Sequence, residues 1–132
     1  MLQMAALNQL PEFGSLAILH NKSFGQRALA ALTATTGDEF AMFTTGGRRL
    51  VVRGDYKSVP ITPDMGVDLA AMGWKWSSHT HPGLDASVLR SSIGDQAVLG
   101  SMQGNQSAML NSLGAHGRFT PSGDSLNGWK PW

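Results

Sequence analysis

The sequence predicts a mixed α/β domain of the α+β kind, with helices packed around a single sheet. Three observations carry that prediction: a hairpin pattern over residues 38–54, a helical stretch with recognisable ends on either side of it, and a strand over residues 74–81 directly behind the second helix.

In chain order, residues 1–22 read as a lead-in segment. Their apolar positions follow no clear period, Pro11 and Gly14 interrupt them, and a strand fits around residues 15–19. The domain proper then covers residues 23–132. Residues 24–35 are alanine-rich, with Phe24, Ala28, Leu29 and Leu32 near helical spacing; Ser23 is placed to cap the start and Gly37 the end. In the hairpin, Phe40, Met42 and Thr44 alternate with Ala41, Phe43 and Thr45, Gly46-Gly47 supplies the turn, and Leu50-Val51-Val52 returns. Thr62-Pro63-Asp64 opens a second helix with a capping hydroxyl, a proline at the first position and an acid in the first turn, and Gly73 stops it. Strict alternation along residues 74–81 puts Trp74, Trp76 and Ser78 on one face and Lys75, Ser77, His79 and His81 on the other. A third helix runs from Ser92 to about residue 99. Closing strands follow at residues 107–113 and 118–120, and an aromatic tail occupies residues 128–132.

Composition narrows the function classes. A chain of 132 residues with 42% hydrophobic and 14% charged residues has enough apolar material for one core and too little charge for a disordered segment. Ten basic residues against nine acidic ones make no field for nonspecific nucleic-acid binding, although Arg48, Arg49 and Arg53 form a short basic strip. With no cysteine, disulfide scaffolds and thiolate metal sites are excluded. The first 20 residues lack a signal-peptide pattern, and no apolar run reaches the roughly 18 residues of a membrane span. The expectation is a soluble chain, cytoplasmic or delivered into a target cell.

The chemistry concentrates in His79-Thr80-His81-Pro82 and, downstream, Ser92-Ile93-Gly94-Asp95. Residues i and i+2 of a strand share a face, so His79 and His81 project side by side. Two imidazoles and one carboxylate form a three-ligand set of nitrogen and oxygen that leaves a fourth position open, as catalytic zinc requires. Asp85 competes with Asp95 as third ligand; the hydroxyl three residues before Asp95 favours the latter. A general base is also needed, and the only glutamates are Glu12 and Glu39. Glu39 opens the hairpin directly after a helix, which favours it over Glu12 in the irregular lead-in.

Taken in order, Asp38-Glu39-Phe40, His79-Thr80-His81-Pro82 and Ser92-x-x-Asp95 resemble the JAMM (JAB/MPN-type) metalloproteases. The resemblance covers about residues 24–99. It implies an MPN/JAB-like fold, a sandwich with one curved mixed sheet related to the cytidine-deaminase type, and zinc-dependent hydrolysis of peptide or isopeptide bonds in a peptide or protein substrate. Carried onto this chain, it makes His79, His81 and Asp95 zinc ligands, Glu39 the base, and Ser92 the hydroxyl that stabilises the oxyanion. The connection from Pro82 to Gly94 is a few residues longer than is usual in that family. Small domains of this type also resemble the C-terminal toxin modules of bacterial polymorphic toxins, which implies an effector role and an immunity protein as partner.

Other readings stand beside this one. Ser92-x-x-Asp95 is also a capping box, and Trp74 and Trp76 are core residues before they are a substrate platform. Arg48 and Arg49 are a solvated turn, and His20 and His116 have no assigned role. The competing functions are a catalytically silent MPN-like scaffold module and a toxin hydrolase acting on nucleic acid, although nucleic acid and membrane are both unexpected partners.

Overall fold

The computed structural model describes residues 2–104 and 106–124. Its hairpin forms as the alternation predicts: β2 (Phe40–Thr45) and β3 (Arg48–Arg53) pair in antiparallel register from Phe40↔Arg53 to Thr45↔Arg48. The turn rests on Gly46, whose φ of 54° is the left-handed conformation that glycine adopts without penalty. The lead-in segment supplies a helix, α1 (Leu2–Asn8), and the edge strand β1 (Leu16–Leu19), which pairs antiparallel with β3. Ala6, Leu10 and Ala17 of this segment are buried with the rest of the core.

Helix α2 (Gln26–Thr36) starts two residues later than the apolar spacing predicts. Gly25 occupies the cap position without a side-chain bond, and the Ser23 amide instead donates to Asn21 Oδ1. Its end is as predicted, with Gly37 left-handed and its amide donating to the Thr33 carbonyl. Helix α3 (Pro63–Ala71) has the predicted Thr62 cap, whose hydroxyl accepts from the Met65 amide.

Strand β4 (Lys75–Thr80) follows, then a single 3-10 turn (Ala86–Val88), helix α4 (Ile93–Ser101), β5 (Ser107–Leu110), β6 (His116–Thr120) and the short β7 (Gly123–Asp124). β5 ends at Leu110, before the predicted 113, because Asn111 turns the chain: its Oδ1 accepts from the Leu113 and Ala115 amides. The predicted aromatic tail lies outside the described residues.

The seven strands form one mixed sheet in the order β1-β3-β2-β4-β5-β6-β7. Only β4 and β5 are parallel, and helix α4 lies in the crossover between them. Apolar clusters cover both faces. Helices α1 and α2 close one over Leu10, Phe24, Leu32, Phe40, Val51 and Leu110. Helices α3 and α4 close the other over Phe43, Leu50, Trp76, Leu99, Met109 and Phe119. Each such large side chain contributes roughly 1.5–3 kcal/mol on burial, so the two layers bind the sheet from both sides. Among the described residues, no helix is long and apolar enough to cross a membrane.

One expectation about β4 is overturned. Met42 pairs with Ser78 but Phe43 pairs with Trp76, so β4 carries one residue more than β2 at this point, a β-bulge at Ser77. The bulge breaks the alternation. His79, paired with Ala41, therefore emerges on the same face as Trp76 rather than the opposite one. The histidines face α4 and share their side of the sheet with the tryptophans.

Candidate metal centre

Strand β4 ends beneath the N-terminus of α4, and this junction gathers the predicted ligands. His79 Nε2 lies 3.0 Å from His81 Nε2 and 3.1 Å from Asp95 Oδ2, and the third edge, His81 Nε2 to Asp95 Oδ2, is 3.6 Å. A tetrahedral ion with bonds of about 2.0–2.1 Å spaces its donors by about 3.3 Å, so the three atoms lie at the separations a single small cation imposes. His79, His81 and Asp95 are also the one cluster of metal-ligating type among the described residues.

Each ligand is held from behind. Asp95 is the third residue of α4 and closes a capping box with Ser92: its amide donates to Ser92 Oγ at 2.9 Å and its Oδ2 accepts from the Ser92 amide at 2.9 Å. The same carboxylate thus closes the capping box and faces the two imidazoles. His81 Nδ1 donates to the Val88 carbonyl at 2.6 Å; a carbonyl can only accept, so the proton sits on Nδ1 and the Nε2 lone pair faces the cluster. His79 is fully buried. Its ring lies 5.0 Å from Trp76 and meets Phe119 edge-on at 5.4 Å, and its Nδ1 has no hydrogen-bond partner among the described residues.

The electrostatics follow from this packing. Burial disfavours a charged His79 and lowers its pKa, against the pull of Asp95. His81 is also desolvated, but the Asp95 contact, the Glu39 charge and the Val88 carbonyl outweigh that and raise it. For Asp95, desolvation is overcome by the adjacent His79 and His81 and by the Ser92 amide, which hold its carboxyl far below the usual range. Two imidazole nitrogens and a carboxylate oxygen point at one spot inside a half-dry pocket. A donor set of this chemistry could hold a metal ion.

Glu39 stands immediately before β2, with its Oε1 3.9 Å from His81 Nε2. Its backbone is clamped on both sides, the amide donating to the Asp55 carbonyl and the carbonyl accepting from the Gly54 amide, both at 2.7 Å. Desolvation raises its pKa to about 7; His81 opposes the rise, while Asp95 and Asp55 add to it. The rival residues lie elsewhere. Asp85 is exposed and bonded to the Ser87 amide and hydroxyl, and Glu12 is exposed in the turn before β1.

A cleft of about 440 Å³ opens over the cluster. Glu39, His81, Ser92 and Asp95 line one part of it, and Trp76, Val59, Ile61, Val88 and Val98 give it an apolar wall. Tyr56 and Lys57 stand at its lip on the turn after the hairpin. The sequence carries no signal for that wall, nor for the Val88 carbonyl. Only the unusual length of the connection after His81 hints that it has work of its own.

The arginine strip is not presented to a ligand. Arg53 pairs with Asp38 at 2.9 Å and donates to the Leu10 carbonyl, Arg49 donates to the Phe24 carbonyl, and Arg48 lies over Trp74. Comparison of the chain with protein-family models, with curated proteins and with solved structures finds no match.

Proposed function

We propose that this domain is a zinc-dependent hydrolase of the JAMM type, with an MPN-like arrangement of sheet and helices, and that it cleaves peptide or isopeptide bonds. The observation that carries the proposal is the convergence of three neutralisable donors from two separate elements at 3.0, 3.1 and 3.6 Å, with a protonable carboxylate 3.9 Å from one of them.

Zinc bound to such a set acidifies a water and polarises a carbonyl. The remaining work falls to the chain. Glu39, poised near neutrality, accepts a proton from the attacking water and returns it to the leaving nitrogen. The Ser92 oxygen already accepts from the Asp95 amide, so its own hydrogen is free to donate to the oxyanion that develops as the carbonyl is attacked. The apolar wall beside Trp76 excludes water from the leaving group's side and strengthens both interactions.

The cleft favours an amide over a phosphodiester. Lys57 is the one lysine or arginine among its described lining residues, too little positive charge to hold a nucleic-acid backbone. Elemental analysis and calorimetry test the proposal. The expected result is one equivalent of zinc per chain, lost in His79→Ala and Asp95→Ala, with peptidase or isopeptidase turnover abolished by chelation and restored by zinc. A folded protein that takes up no zinc would rule it out.

A further inference from the structure

The capping box that holds Asp95 has a support of its own. Ser91, the residue before the cap, is bound by Asp124 at the far end of the sheet. Asp124 Oδ1 accepts from the Ser91 amide at 2.9 Å and from the Ser91 hydroxyl at 2.5 Å. Gln96, one turn into α4, donates its Nε2 proton to Ser91 Oγ at 3.0 Å. The Ser91 hydroxyl thus receives from the helix and gives to the strand, tying α4 to β7.

Asp124 is in turn placed by a tight hairpin. Among the described residues β7 pairs with β6 alone, through Phe119↔Asp124 and Thr120↔Gly123. The Thr120 hydroxyl donates to the Gly123 carbonyl at 3.1 Å, and Gly123 takes a φ of 143° that side chains with a Cβ rarely adopt. Phe119, on the partner strand β6, is the edge-on wall of His79. One hairpin therefore touches the ligand cluster twice, by an aromatic ring and by a carboxylate acting through Ser91.

We infer that Asp124 is a positioning residue for the metal site: through Ser91 it fixes the start of α4, and with it the Ser92–Asp95 box. The inference rests on the zinc reading for its functional consequence, but its structural core is testable without metal. Two donors from one residue, the Ser91 amide and hydroxyl, meet at a single Asp124 oxygen and tie Ser91 to the strand at two points, which a single bond does not. The final strand is thereby part of the site's scaffold.

Hydrogen exchange of the metal-free protein is the first test. In Asp124→Ala the Ser92 and Asp95 amides, which close the box, should exchange about tenfold faster, while the Phe40 amide at the sheet centre keeps its rate. Asp124→Asn retains Oδ1 as an acceptor and should restore protection to within about twofold. Gly123→Ala, which strains the hairpin, should mimic Asp124→Ala. The second test is zinc affinity by chelator competition: about tenfold weaker for Asp124→Ala, less weakened for Ser91→Ala, which keeps the amide bond to Asp124, and no weaker for the double variant than for Asp124→Ala alone, since the Ser91 hydroxyl acts through Asp124. Unchanged exchange at Ser92 and Asp95 in Asp124→Ala overturns the inference, as does full additivity of the two substitutions or an Asp124→Asn protein as impaired as the alanine one. Failure of the parent protein to bind zinc overturns the zinc reading instead, and the exchange result then decides the positioning role by itself.

Discussion

His81 Nδ1 and the carbonyl of Val88 are joined by a 2.6 Å hydrogen bond that crosses the long connection between β4 and α4. That bond decides which nitrogen of His81 faces the cluster, so the connection is a part of the site and not a spacer. Gly83 makes it possible. Its φ is 138°, and a Cβ built there would stand 2.6 Å from Val88 Cγ1.

Gly83→Ala should therefore push Val88 away, release the imidazole and weaken zinc binding by about 10- to 100-fold, the usual effect of losing an outer partner of a ligating histidine. Gly14→Ala is the control. It also has positive φ, but its Cβ meets nothing within 4 Å and it lies in the turn before β1. It should lower the melting temperature without changing zinc affinity.

Ser92 serves both as helix cap and as proposed oxyanion donor, and one substitution separates the roles. Glycine is a cap only a few tenths of a kcal/mol poorer than serine, whereas alanine costs about 1 kcal/mol. Ser92→Gly should fold normally, bind zinc about tenfold more weakly because the box that holds Asp95 is opened, and at saturating zinc lose about 10²-fold in kcat with KM little changed. Ser92→Ala should lose the same factor in kcat and be less stable to urea. A Ser92→Gly enzyme with parental kcat would remove the hydroxyl from the mechanism.

How far the sequence reads through to this site depends on the range of the forces involved. The Gly46-Gly47 turn, the Thr62 cap and the Ser92–Asp95 box are set by residues within four positions of one another, and each forms as the sequence predicts. His79, His81 and Asp95 also meet as their spacing suggests, with Glu39 beside them. What the sequence conceals is non-local. The Ser77 bulge exists because β4 must register against β2, and no period-two pattern contains that extra residue. The α1 segment is similar, since it is held by packing of Ala6 and Leu10 into the cluster beneath α2 rather than by an amphipathic period. The cap at Ser23 fails because the helix begins two residues later than the apolar spacing suggests, which puts Gly25 at the cap position.

Glu39 makes the metal-free protein sensitive to pH. Its pKa in the folded protein is about 7 against an ordinary 4.5, so between those values the folded state holds a proton that the unfolded chain has lost. Stability falls as pH rises through that window. His81, raised above its ordinary 6.5, acts in the same sense: its charged-state contacts are complete below that value and are lost as pH rises. Asp95 acts oppositely, and only in strong acid, since its carboxyl is held below the usual range. Metal-free protein should melt at a higher temperature at pH 6 than at pH 8.5. Glu39→Gln should stabilise it at pH 8.5 by up to about 3 kcal/mol, by about 1 kcal/mol at pH 5.5, and have little effect only below about pH 4.5. Zinc should reverse the trend, because ligands must be deprotonated to bind. A parent protein equally stable at both pH values without metal would contradict the buried, elevated Glu39.

Thr80, between the two histidines, faces the other side of the sheet and secures the segment around Glu39 rather than the histidines. Its hydroxyl is fully buried, accepts from the Phe40 amide at 2.8 Å and pairs with the Thr33 hydroxyl, which itself donates to the Asp38 carbonyl at 2.9 Å. One small network thus ties β4, α2 and both neighbours of Glu39. Valine has nearly the same shape as threonine but leaves the Phe40 amide without this partner, at a cost of about 1–3 kcal/mol. Thr80→Val should lower stability to urea by that amount and reduce kcat through a displaced Glu39. Zinc affinity should stay within a few-fold, because His79 and His81 lie on the opposite face. Thr33→Val combined with Thr80→Val should lose less than the sum of the two, since the second substitution finds the shared bond already broken. Additive losses would mean that the two hydroxyls do not act together.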